Sequence, residues 1–545
     1  MTELADMDVL VVDAQTTGAS PAFGVVLELG WGVARASGPE LLTAAEARWI
    51  RLPEGHQVPR QVARLTDYDP AFAVDAIDDQ DAWRRLRALT AEAEDTPTAI
   101  HYARFELAFL REWAGRLEPR QRFPLDTVCL HAMARRLYPD LPRRSLRALA
   151  GFLGHGVELT RRSLGHVQAT AFVWQRLCAA LALRGITRWT QLKDWLSQPE
   201  ATPRARAGKA RYPIDAAQYR CLPDEPGVYR FLRSNGELLY VGKAASLRKR
   251  VTSHFRGRFN RELSVEMLTQ VSQVRADVAP TALEAALREN EAIKTLRPPY
   301  NVQLVASDAR VWFSDVDFLG ATDAPDDGHP IGPLPSEWSL AALPAQMALL
   351  AGHPPTDQRR AAAVGTSALW TPGREVFVAG WTAFVARHGE ALAPSEGAPR
   401  TRLLRLAARL LAAGSLGKAA DPSGSASEPE TQDWDPERVA RHLERAAAQA
   451  YLLYRRARWL RLFFDSDVVY REPGSASTRR LILRAGQLVA AETDGVPSVA
   501  APDLAAPRSP TGRFDRATYD RLRVLTTELR RILRDGGHVS MRPRR

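Results

Sequence analysis

The alternation of apolar and polar residues near the start of the chain predicts a sheet. The stretches "VLVVDA" (9–14) and "VVLELGWGVAR" (25–35) have the short period of strands. Four later stretches have the period of helices, and they lie near residues 82–93, 103–115, 142–154 and 167–184. Strands followed by helices indicate an α/β layer domain over residues 1–195.

Two segments without an apolar period are predicted to be linkers. Residues 196–215 contain Pro, small and basic residues, and residues 414–435 contain few bulky apolar residues, which favours disorder there. The linkers leave a compact α/β domain, a mainly helical region and a C-terminal α+β region, at residues 216–306, 307–413 and 436–545. We therefore expect an α/β multidomain protein.

The C-terminal region shows the pattern of a helix, a strand pair and a second helix. A long helix is predicted near residues 436–461, and strands follow in "DVVYRE" (467–472) and "RRLILRAGQLVAAE" (479–492). A final helix over residues 516–535 leads to the basic tail "MRPRR" (541–545). We expect this end of the chain to contact DNA phosphates, because arginine neutralises their charge.

The charge balance favours a nucleic acid as the partner. The chain has 74 Lys and Arg against 63 Asp and Glu, a net charge of +11, and most of the basic residues are arginines. Phosphate neutralisation drives nucleic-acid binding, so DNA is the expected ligand. The alternative is that an arginine-rich genome supplies arginine in place of lysine, and charge by itself does not separate the two.

Cysteine usage and hydropathy bear on the compartment. The three cysteines, Cys129, Cys178 and Cys221, are far apart and form no CxxC pair, which argues against a zinc or iron–sulfur site and for a reducing cytoplasm. No run of 18 apolar residues occurs, and the first ten residues lack the features of a signal peptide. We expect a cytoplasmic, nucleoid-associated protein with no membrane partner.

The stretch "PGVYRFLRSNGELLYVGK" predicts a β-hairpin. The Asn-Gly pair at 235–236 is the strongest short hairpin signal and predicts a two-residue type I′ loop. This loop places Phe231 opposite Tyr240 and Tyr229 opposite Gly242, so all four share one face. Because Gly242 has no side chain, we expect open space beside Tyr229 and a pocket floor made by the two phenols.

Two helices are expected to follow the hairpin. The first begins near Ser246, a suitable N-cap, and carries Arg250 and His254 on one face, one turn apart. The second opens at Thr281, and its apolar stripe leaves Glu289 at the edge, where a carboxylate can face a cleft. The stretch "RPPYN" stops this second helix.

These stretches together resemble the GIY-YIG nuclease domain of the UvrC excinuclease type. "GVY" (227–229) and "YVG" (240–242) correspond to the two triplets that name the family. "KAASLRKRVTSHF" (243–255) resembles its basic helix, and "ALRENEAIKTLRPPYNV" (286–302) resembles its metal-binding helix. A single triplet carries no weight, and the four matches at these spacings make the resemblance specific.

The resemblance implies a role for each matching residue. Glu289 is implied as the ligand of a Mg²⁺ or Mn²⁺ ion, and one carboxylate leaves such an ion mostly water-coordinated. Tyr229 and Tyr240 flank the attacking water, with Tyr240 as the candidate general base. Lys243 and Arg250 stabilise charge on the scissile phosphate. A free tyrosine has a pKa near 10, so Tyr240 needs nearby positive charge to act as a base.

Two further positions complete the implied site. Asn301, at the end of the metal-binding helix motif, is expected to order the site. His254 stands where relatives often carry tyrosine, and its role is left open. Phosphodiester cleavage needs a nucleophile, a charge clamp and a Lewis acid, and the implied roles supply all three.

The first domain resembles the DnaQ-like (DEDDh) 3′–5′ exonucleases, which implies an RNase H-like fold. "VVDAQTTG" (11–18) resembles their first motif, and "HYARFELAFL" (101–110) resembles the second. "FPLDTVCLHAMARRLYPDLPRRSLRALAGFLG" (123–154), with Asp126, also follows the family pattern. "RRSLGHVQAT" (161–170) corresponds to the third motif.

The catalytic positions of this exonuclease pattern are incompletely filled. The family uses four carboxylates to hold two metal ions and a histidine to activate water. Here Asp13 is present, Gln15 is neutral where a carboxylate is expected, and Glu106 replaces a shorter acid. We therefore expect the family's metal site to have lost much of its negative charge.

The third motif allows two alignments. Without gaps, Arg161 stands at the catalytic histidine and His166 at the last acid. With a gap, His166 stays the histidine and Ala171 replaces the last acid. Either alignment leaves too few carboxylates for two Mg²⁺ ions, so we expect residues 1–195 to be catalytically inactive.

The combination of the two domains resembles bacterial repair proteins of the Cho and UvrC group. The resemblance implies a metal-dependent DNA endonuclease of nucleotide excision repair and the SOS response, which makes one incision 3′ to a lesion presented by UvrA–UvrB. One alternative is a 3′–5′ exonuclease for proofreading or trimming. The other is a non-catalytic scaffold, in which residues 1–195 dock DNA, a polymerase or a clamp.

Overall fold

The computed structural model divides the chain into two compact units. The first holds residues 1–280 and 298–302, and the second holds residues 281–297 and 303–545. The structure describes residues 2–38, 40–90, 96–156, 161–199, 212–256, 262–301, 310–324, 326–353, 358–364, 373–393, 398–414, 434–497 and 514–543. Most of the two predicted linkers, at 200–211 and 415–433, lies outside these ranges.

A five-stranded mixed sheet forms the centre of the first domain. Its strands are β1 (Val9–Thr16), β2 (Val26–Ala34), β3 (Leu42–Trp49), β4 (Thr96–Ile100) and β5 (Leu125–Cys129). The order across the sheet is β3-β2-β1-β4-β5. β1, β2 and β3 pair antiparallel, whereas β4 and β5 continue the sheet in parallel.

Helices cover both faces of this sheet. They are α1 (Arg60–Thr66), α2 (Asp79–Leu89), α3 (Ala103–Leu117), α4 (Leu130–Leu137), α5 (Leu146–Phe152), α6 (Ser163–Ala182) and α7 (Trp189–Ser197). Val9 and Val11 pack in one core with Trp174 of α6, and Leu10 and Val12 pack in another with Phe109 of α3. The sequence of β1 begins with a continuous apolar run because both faces of this strand are buried.

A smaller sheet forms the second domain of the first unit. Its helices and strands are α8 (Ala216–Arg220), β6 (Gly227–Leu232), β7 (Leu238–Ala244), α9 (Leu247–Phe255), α10 (Glu262–Gln270) and β8 (Gln273–Val278). The order is β7-β6-β8, with β6 antiparallel to both neighbours. The hairpin was predicted, whereas β8 was not. "QVRADV" alternates polar and apolar residues, but it is short and largely exposed, and no turn signal pairs it with β6.

The two domains of the first unit pack against each other through α5 and α10. A Cβ atom on Gly151 would lie only 1.9 Å from Oε1 of Gln270, so only glycine fits at this contact. Ser145 Oγ donates to Glu266 at 3.0 Å, and Arg147 forms an ion pair with the same carboxylate at 3.3 Å. The first domain therefore supports the second through a close-packed surface.

The second unit begins with a helix, a small sheet and a bundle of helices. They are α11 (Ala282–Leu296), β9 (Trp312–Ser314), β10 (Ala321–Thr322), β11 (Ile331–Leu334), α12 (Ala342–Leu350), α13 (Gln358–Ala363), α14 (Arg374–Leu392), α15 (Pro399–Ala412) and α16 (Pro436–Phe464). α14 and α15 share an apolar core with the long predicted helix α16. The region before α16 is mainly helical, and the three-stranded sheet β10-β9-β11 was not predicted.

The chain closes with a five-stranded antiparallel sheet and one helix. They are β12 (Ser466–Arg471), β13 (Arg479–Arg484), β14 (Gln487–Thr493), β15 (Val496–Pro497), α17 (Arg516–Arg534) and β16 (His538–Pro543). The order is β15-β14-β13-β12-β16. The predicted second strand is in fact a hairpin, which turns at Ala485 and Gly486, both with positive φ.

The C-terminal tail contains a strand that was not predicted. Residues 538–543 form the edge strand β16, which pairs antiparallel with β12. Ser466 lies opposite Pro543, and Arg471 lies opposite His538. Val539 and Met541 pack against the core of this domain. The strand was not predicted because this segment has only two apolar positions, Val539 and Met541, beside several arginines.

None of the described helices combines the length and the hydropathy that a membrane span requires.

Removal of residues 538–545 tests the contribution of β16 to the sheet. β12 loses one of its two hydrogen-bonded neighbours and the core loses two partly buried side chains, so the C-terminal sheet should be destabilised by about 3 kcal/mol. Hydrogen exchange of residues 466–471 should accelerate in the variant. A variant that lacks only residues 544–545 keeps β16 and should exchange like the full chain. Equal protection after the longer deletion would show that β16 adds nothing to the sheet.

Candidate active site

The register of the β6–β7 hairpin brings two tyrosines to one face. Tyr229 lies opposite Gly242 and Phe231 opposite Tyr240, as predicted. The ring centres of the two tyrosines are 6.1 Å apart. Tyr229 is fully buried, whereas Tyr240 is half-buried, so Tyr240 is the phenol more accessible to a ligand.

The loop that sets this register differs from the prediction. The backbone N–H of Arg233 donates to the carbonyl of Glu237 at 2.9 Å, and Gly236 has a φ of +84° while Asn235 does not have a positive φ. The loop is therefore three residues long with a glycine bulge, and it is not a two-residue type I′ turn. A one-residue shift between Phe231 and Leu232 compensates for the extra residue and restores the predicted pairs.

The expected gap beside Gly242 does not exist in the structure. A Cβ atom on Gly242 would lie 2.5 Å from the hydroxyl oxygen of Tyr229 and 2.8 Å from Cε1 of Tyr240. The ring of Tyr229 fills the space that the glycine leaves. Gly242 is thus required because two tyrosines converge on its α-carbon.

His254 holds the buried tyrosine. Ser246 caps α9 by accepting from the backbone N–H of Lys249, and His254 lies in the last turn of that helix. Its Nε2 lies 2.7 Å from the hydroxyl oxygen of Tyr229. Burial lowers the pKa of His254 to about 4, and the charge of Arg250 adds to this shift. A neutral imidazole can accept the proton of the Tyr229 phenol.

Asn301 fastens β7 at the residue between Tyr240 and Gly242. Its Oδ1 accepts from the backbone N–H of Val241, and its Nδ2 donates to the carbonyl of Val241, both at 2.9 Å. The amide thus makes the pair of bonds that a neighbouring strand would make. This geometry explains how an asparagine orders the site, which the sequence indicated without a mechanism.

The other three predicted site residues lie on separate elements. Lys243 is half-buried in the last part of β7, and Arg250 is exposed on α9. Glu289 is half-buried on α11, which belongs to the second compact unit. Their catalytic roles stay predictions.

Tyr300 is a residue of this neighbourhood to which no role was assigned. Its backbone N–H donates to Leu239 of β7 at 3.1 Å, and its hydroxyl donates to Glu266 at 3.0 Å. The guanidinium of Arg147 lies 4.2 Å from the centre of its ring. The only signal in the sequence is the position of Tyr300 immediately before Asn301 in "PPYN".

Polar residues of the exonuclease-like motifs lie together in the first domain. Nδ1 of His166 lies 3.2 Å from both carboxylate oxygens of Asp13. Burial, with the charge of Asp13, raises the pKa of Glu106 well above its usual range and favours the neutral acid. Among the described residues, no group of three or more His, Cys, Asp and Glu could hold a metal ion.

The two residues on which the alignments of the third motif differ lie in different surroundings. His166 contacts Asp13. Arg161 points elsewhere and forms an ion pair with Asp67 at 3.3 Å, while its carbonyl accepts from Gln15 at 2.7 Å. Neither Gln15 nor Arg161 supplies a charge that could replace a lost carboxylate.

A buried carboxylate that the sequence analysis missed fixes the helix that carries His166. Glu28 lies opposite Gln15 in the sheet and is fully buried. It accepts from the backbone N–H of Ser163 at 2.8 Å and from Arg162 at 2.7 Å, so it satisfies the first turn of α6. No spacing rule connects it with α6, because 135 residues separate Glu28 from Ser163.

Comparison with known families identifies the domain around the hairpin. Residues 225–302 match the UvrC-like GIY-YIG domain. The chain therefore carries a GIY-YIG nuclease domain. The domain is of the UvrC type, and the match contains every residue named above on β6, β7, α9 and α11, as well as Asn301.

Two relatives match longer parts of the chain. A protein of Mycobacterium tuberculosis, provisionally named a bifunctional exonuclease/endonuclease, is 28% identical over 367 residues, which are 64% of this chain and 53% of that protein. The UvrABC system protein C of Alkalilimnicola ehrlichii is 42% identical over 135 residues, which are 23% of this chain and 22% of that protein. The chain thus spans about half of the first relative and about a fifth of the second. Both predicted resemblances are confirmed.

Two solved structures are each similar to part of the chain. The GIY-YIG N-terminal endonuclease domain of UvrC from Thermotoga maritima, bound to magnesium as its catalytic divalent cation, is 31% identical, with 16% of this chain and 93% of that chain covered and a TM-score of 0.15. Exonuclease I of E. coli in complex with an oligonucleotide is 16% identical, with 42% and 48% covered and a TM-score of 0.28.

The protonation of His254 is directly measurable. We expect a midpoint near pH 4 for its ring signals in histidine-labelled protein, because burial opposes the charged form. Because the pKa of His254 is lowered by folding, its neutral form contributes stability above pH 6.5. That contribution is lost as the pH falls from 6.5 toward 4. A His254→Asn variant assigns the signals. A midpoint near 6.5 in the folded protein would contradict the buried, tyrosine-bonded position.

The predicted inactivity of the first domain gives a second test. Asp13→Ala should leave every cleavage activity unchanged, because its carboxylate is engaged by His166 and its neighbour Glu106 is neutral. The assay uses single-stranded DNA labelled at the 3′ end, with Mn²⁺. Mononucleotide release by the wild type that disappears in Asp13→Ala would show that the exonuclease is active.

Proposed function

We propose that this protein is a metal-dependent DNA endonuclease of nucleotide excision repair that hydrolyses one phosphodiester bond 3′ to a lesion. The observation that carries this proposal is the hydrogen bond between His254 and the buried Tyr229, on the face that Tyr229 shares with Tyr240. The confirmed UvrC-like domain supports the reaction class. The division of the chain at residues 195, 216, 306, 414 and 436 also stays a proposal.

The tyrosines and the histidine would handle the protons. Tyr240 is the more accessible phenol and would accept a proton from the attacking water. Tyr229 donates to the neutral imidazole of His254, which keeps its hydroxyl oxygen oriented toward Gly242. Lys243 and Arg250 would neutralise the phosphate as charge develops on it. Asn301 keeps β7, and with it Tyr240, in register.

A divalent cation fits the donor atoms that the motif supplies. The motif supplies hard oxygen donors, and the carboxylate of Glu289 is the charged donor among them. Mg²⁺ and Mn²⁺ prefer such ligands. Glu289 would hold the ion, which would keep most of its water ligands. The ion would supply Lewis-acid stabilisation of the phosphate.

The partners follow from charge and from the UvrABC relatives. The net charge of +11 suits DNA, and the similarity to UvrABC system protein C suggests delivery of the lesion by UvrA–UvrB. Residues 1–195 would grip DNA or hold a polymerase or clamp. A cytoplasmic, nucleoid-associated location and induction in the SOS response belong to the same proposal.

Glu289→Gln is the test of this function. The amide keeps the shape and loses the charge that holds the metal, so nicking should fall by at least about a thousandfold, a loss typical for a key electrostatic group. Lesion-bearing, bubble and flap DNA are incubated with Mg²⁺ or Mn²⁺, with and without UvrA–UvrB. Glu225→Gln, an exposed residue of the same domain, is the matched control and should nick normally.

The same assay separates the alternatives. Unchanged nicking by Glu289→Gln would remove the proposed site. Shortening from the 3′ end in place of nicking would indicate an exonuclease. No cleavage by the wild type under any of these conditions would leave a DNA-binding scaffold.

A further inference from the structure

The start of α11 is fixed to the C-terminal sheet by a buried charge. Glu284 is 2% exposed and accepts from Nε of Arg479 at 2.9 Å. The hydroxyl of Tyr470 donates to the same carboxylate at 3.3 Å and lies 2.8 Å from Oγ1 of Thr281, the N-cap of α11. β12 and β13 therefore supply the partners of the first turn of this helix.

Two further ion pairs fix the rest of α11 to α17. Arg521 pairs with Glu291 at 2.9 Å, and Lys294 pairs with Asp520 at 2.8 Å. The side chains of Lys294 and Asp520 are 9% and 4% exposed. Leu287, between the pairs, belongs to the apolar core formed by β12, β13 and α17.

These contacts all lie on one face of α11. Residues 284, 287, 291 and 294 repeat every three or four positions, which places them in one stripe along the helix. At 100° per residue, Glu289 lies roughly half a turn away from the centre of that stripe. The C-terminal domain thus grips the face opposite the predicted metal ligand and leaves Glu289 outside the packed stripe.

The buried ion pairs and hydrogen bonds restrict α11 to one orientation. An apolar helix face can slide or rotate by a fraction of a turn at moderate cost, because dispersion contacts are not directional. A buried carboxylate bonded to a guanidinium and a phenol does not tolerate such movement, because any shift leaves a charge without its partner. Three pairs along one stripe define both the rotation and the position of α11 along its axis.

We propose that the C-terminal domain, made of β12–β16 and α17, is a positioning element for Glu289, the predicted metal ligand on α11, with Arg479 as the main positioning residue. It fixes α11 and thereby sets the location of Glu289. This inference rests on the proposed role of Glu289 as the metal ligand. It assigns a function to residues 466–543, in which the sequence showed no interpretable motif.

The test uses full-length protein and two kinds of readout. Arg479→Gln should weaken Mn²⁺ binding, followed by electron paramagnetic resonance without DNA, by about tenfold, and should raise the Mg²⁺ concentration for half-maximal nicking by a similar factor. DNA affinity should stay within about twofold, because Arg479 is buried and not available to a DNA phosphate. Arg480→Gln is the matched control, since Arg480 is the next residue on β13 and pairs with Asp467 and Glu492 away from α11.

Rescue distinguishes positioning from general damage. Glu284→Gln combined with Arg479→Gln removes both buried charges and leaves two amides, so metal binding should recover in part relative to either single variant. If Arg479→Gln does not fold, Arg521→Gln, which breaks the more exposed pair with Glu291, is measured in its place.

The outcomes separate this inference from the proposed function. Wild-type Mn²⁺ affinity and metal requirement in a folded Arg479→Gln or Arg521→Gln variant would overturn the positioning role while nicking stands. A wild type that binds Mn²⁺ through Glu289, with affinity sensitive to Arg479, and yet nicks no DNA would support positioning and remove the proposed function. Loss of Mn²⁺ binding in Arg480→Gln as well would overturn the specificity of the grip for α11.

Discussion

The register of the β6–β7 hairpin is the constraint on which the nuclease domain depends. A shift of one residue would turn Tyr229 and Tyr240 to the opposite face and separate them from His254. Two features hold the register: the missing side chain of Gly242, into whose space the Tyr229 ring fits, and the paired hydrogen bonds of Asn301 to Val241. Neither is part of the hairpin loop. The register is thus set by contacts at Gly242 and Val241, and the loop accommodates it with one extra residue.

Burial controls the charge of the polar groups in both domains of the first unit, with opposite consequences. In the second domain it lowers the pKa of His254 and leaves a neutral base beside a phenol. In the first domain it raises the pKa of Glu106, whose charge a two-metal site would need. His166 then occupies the carboxylate of Asp13. Desolvation thus favours a neutral base in one domain and a neutral acid in the other.

The sequence predicted those features that are stabilised by residues close together in the chain. The caps at Ser246 and Thr281, the four-residue pairing of the hairpin face and the long helix α16 were all visible in the sequence. The third strand β8 and the edge strand β16 were missed, because each is half-exposed or basic and is held by a partner distant in sequence. Glu28 and Tyr300 were missed for the same reason, since their partners on α6 and α10 come together only in the folded chain.

The contact of Gly151 with Gln270 has a consequence for how the two domains of the first unit have stayed together. A domain joined only by a tether can be lost or exchanged by recombination, since its neighbour keeps an intact surface. Here the neighbour's α10 has a side chain fitted against a bare α-carbon of the first domain, and its Glu266 takes hydrogen bonds from that domain. Loss of the exonuclease-like fold would expose this surface, whether or not that fold cleaves DNA. Selection can therefore preserve the fold of residues 1–195 as part of its neighbour's packing, independently of any chemistry of its own.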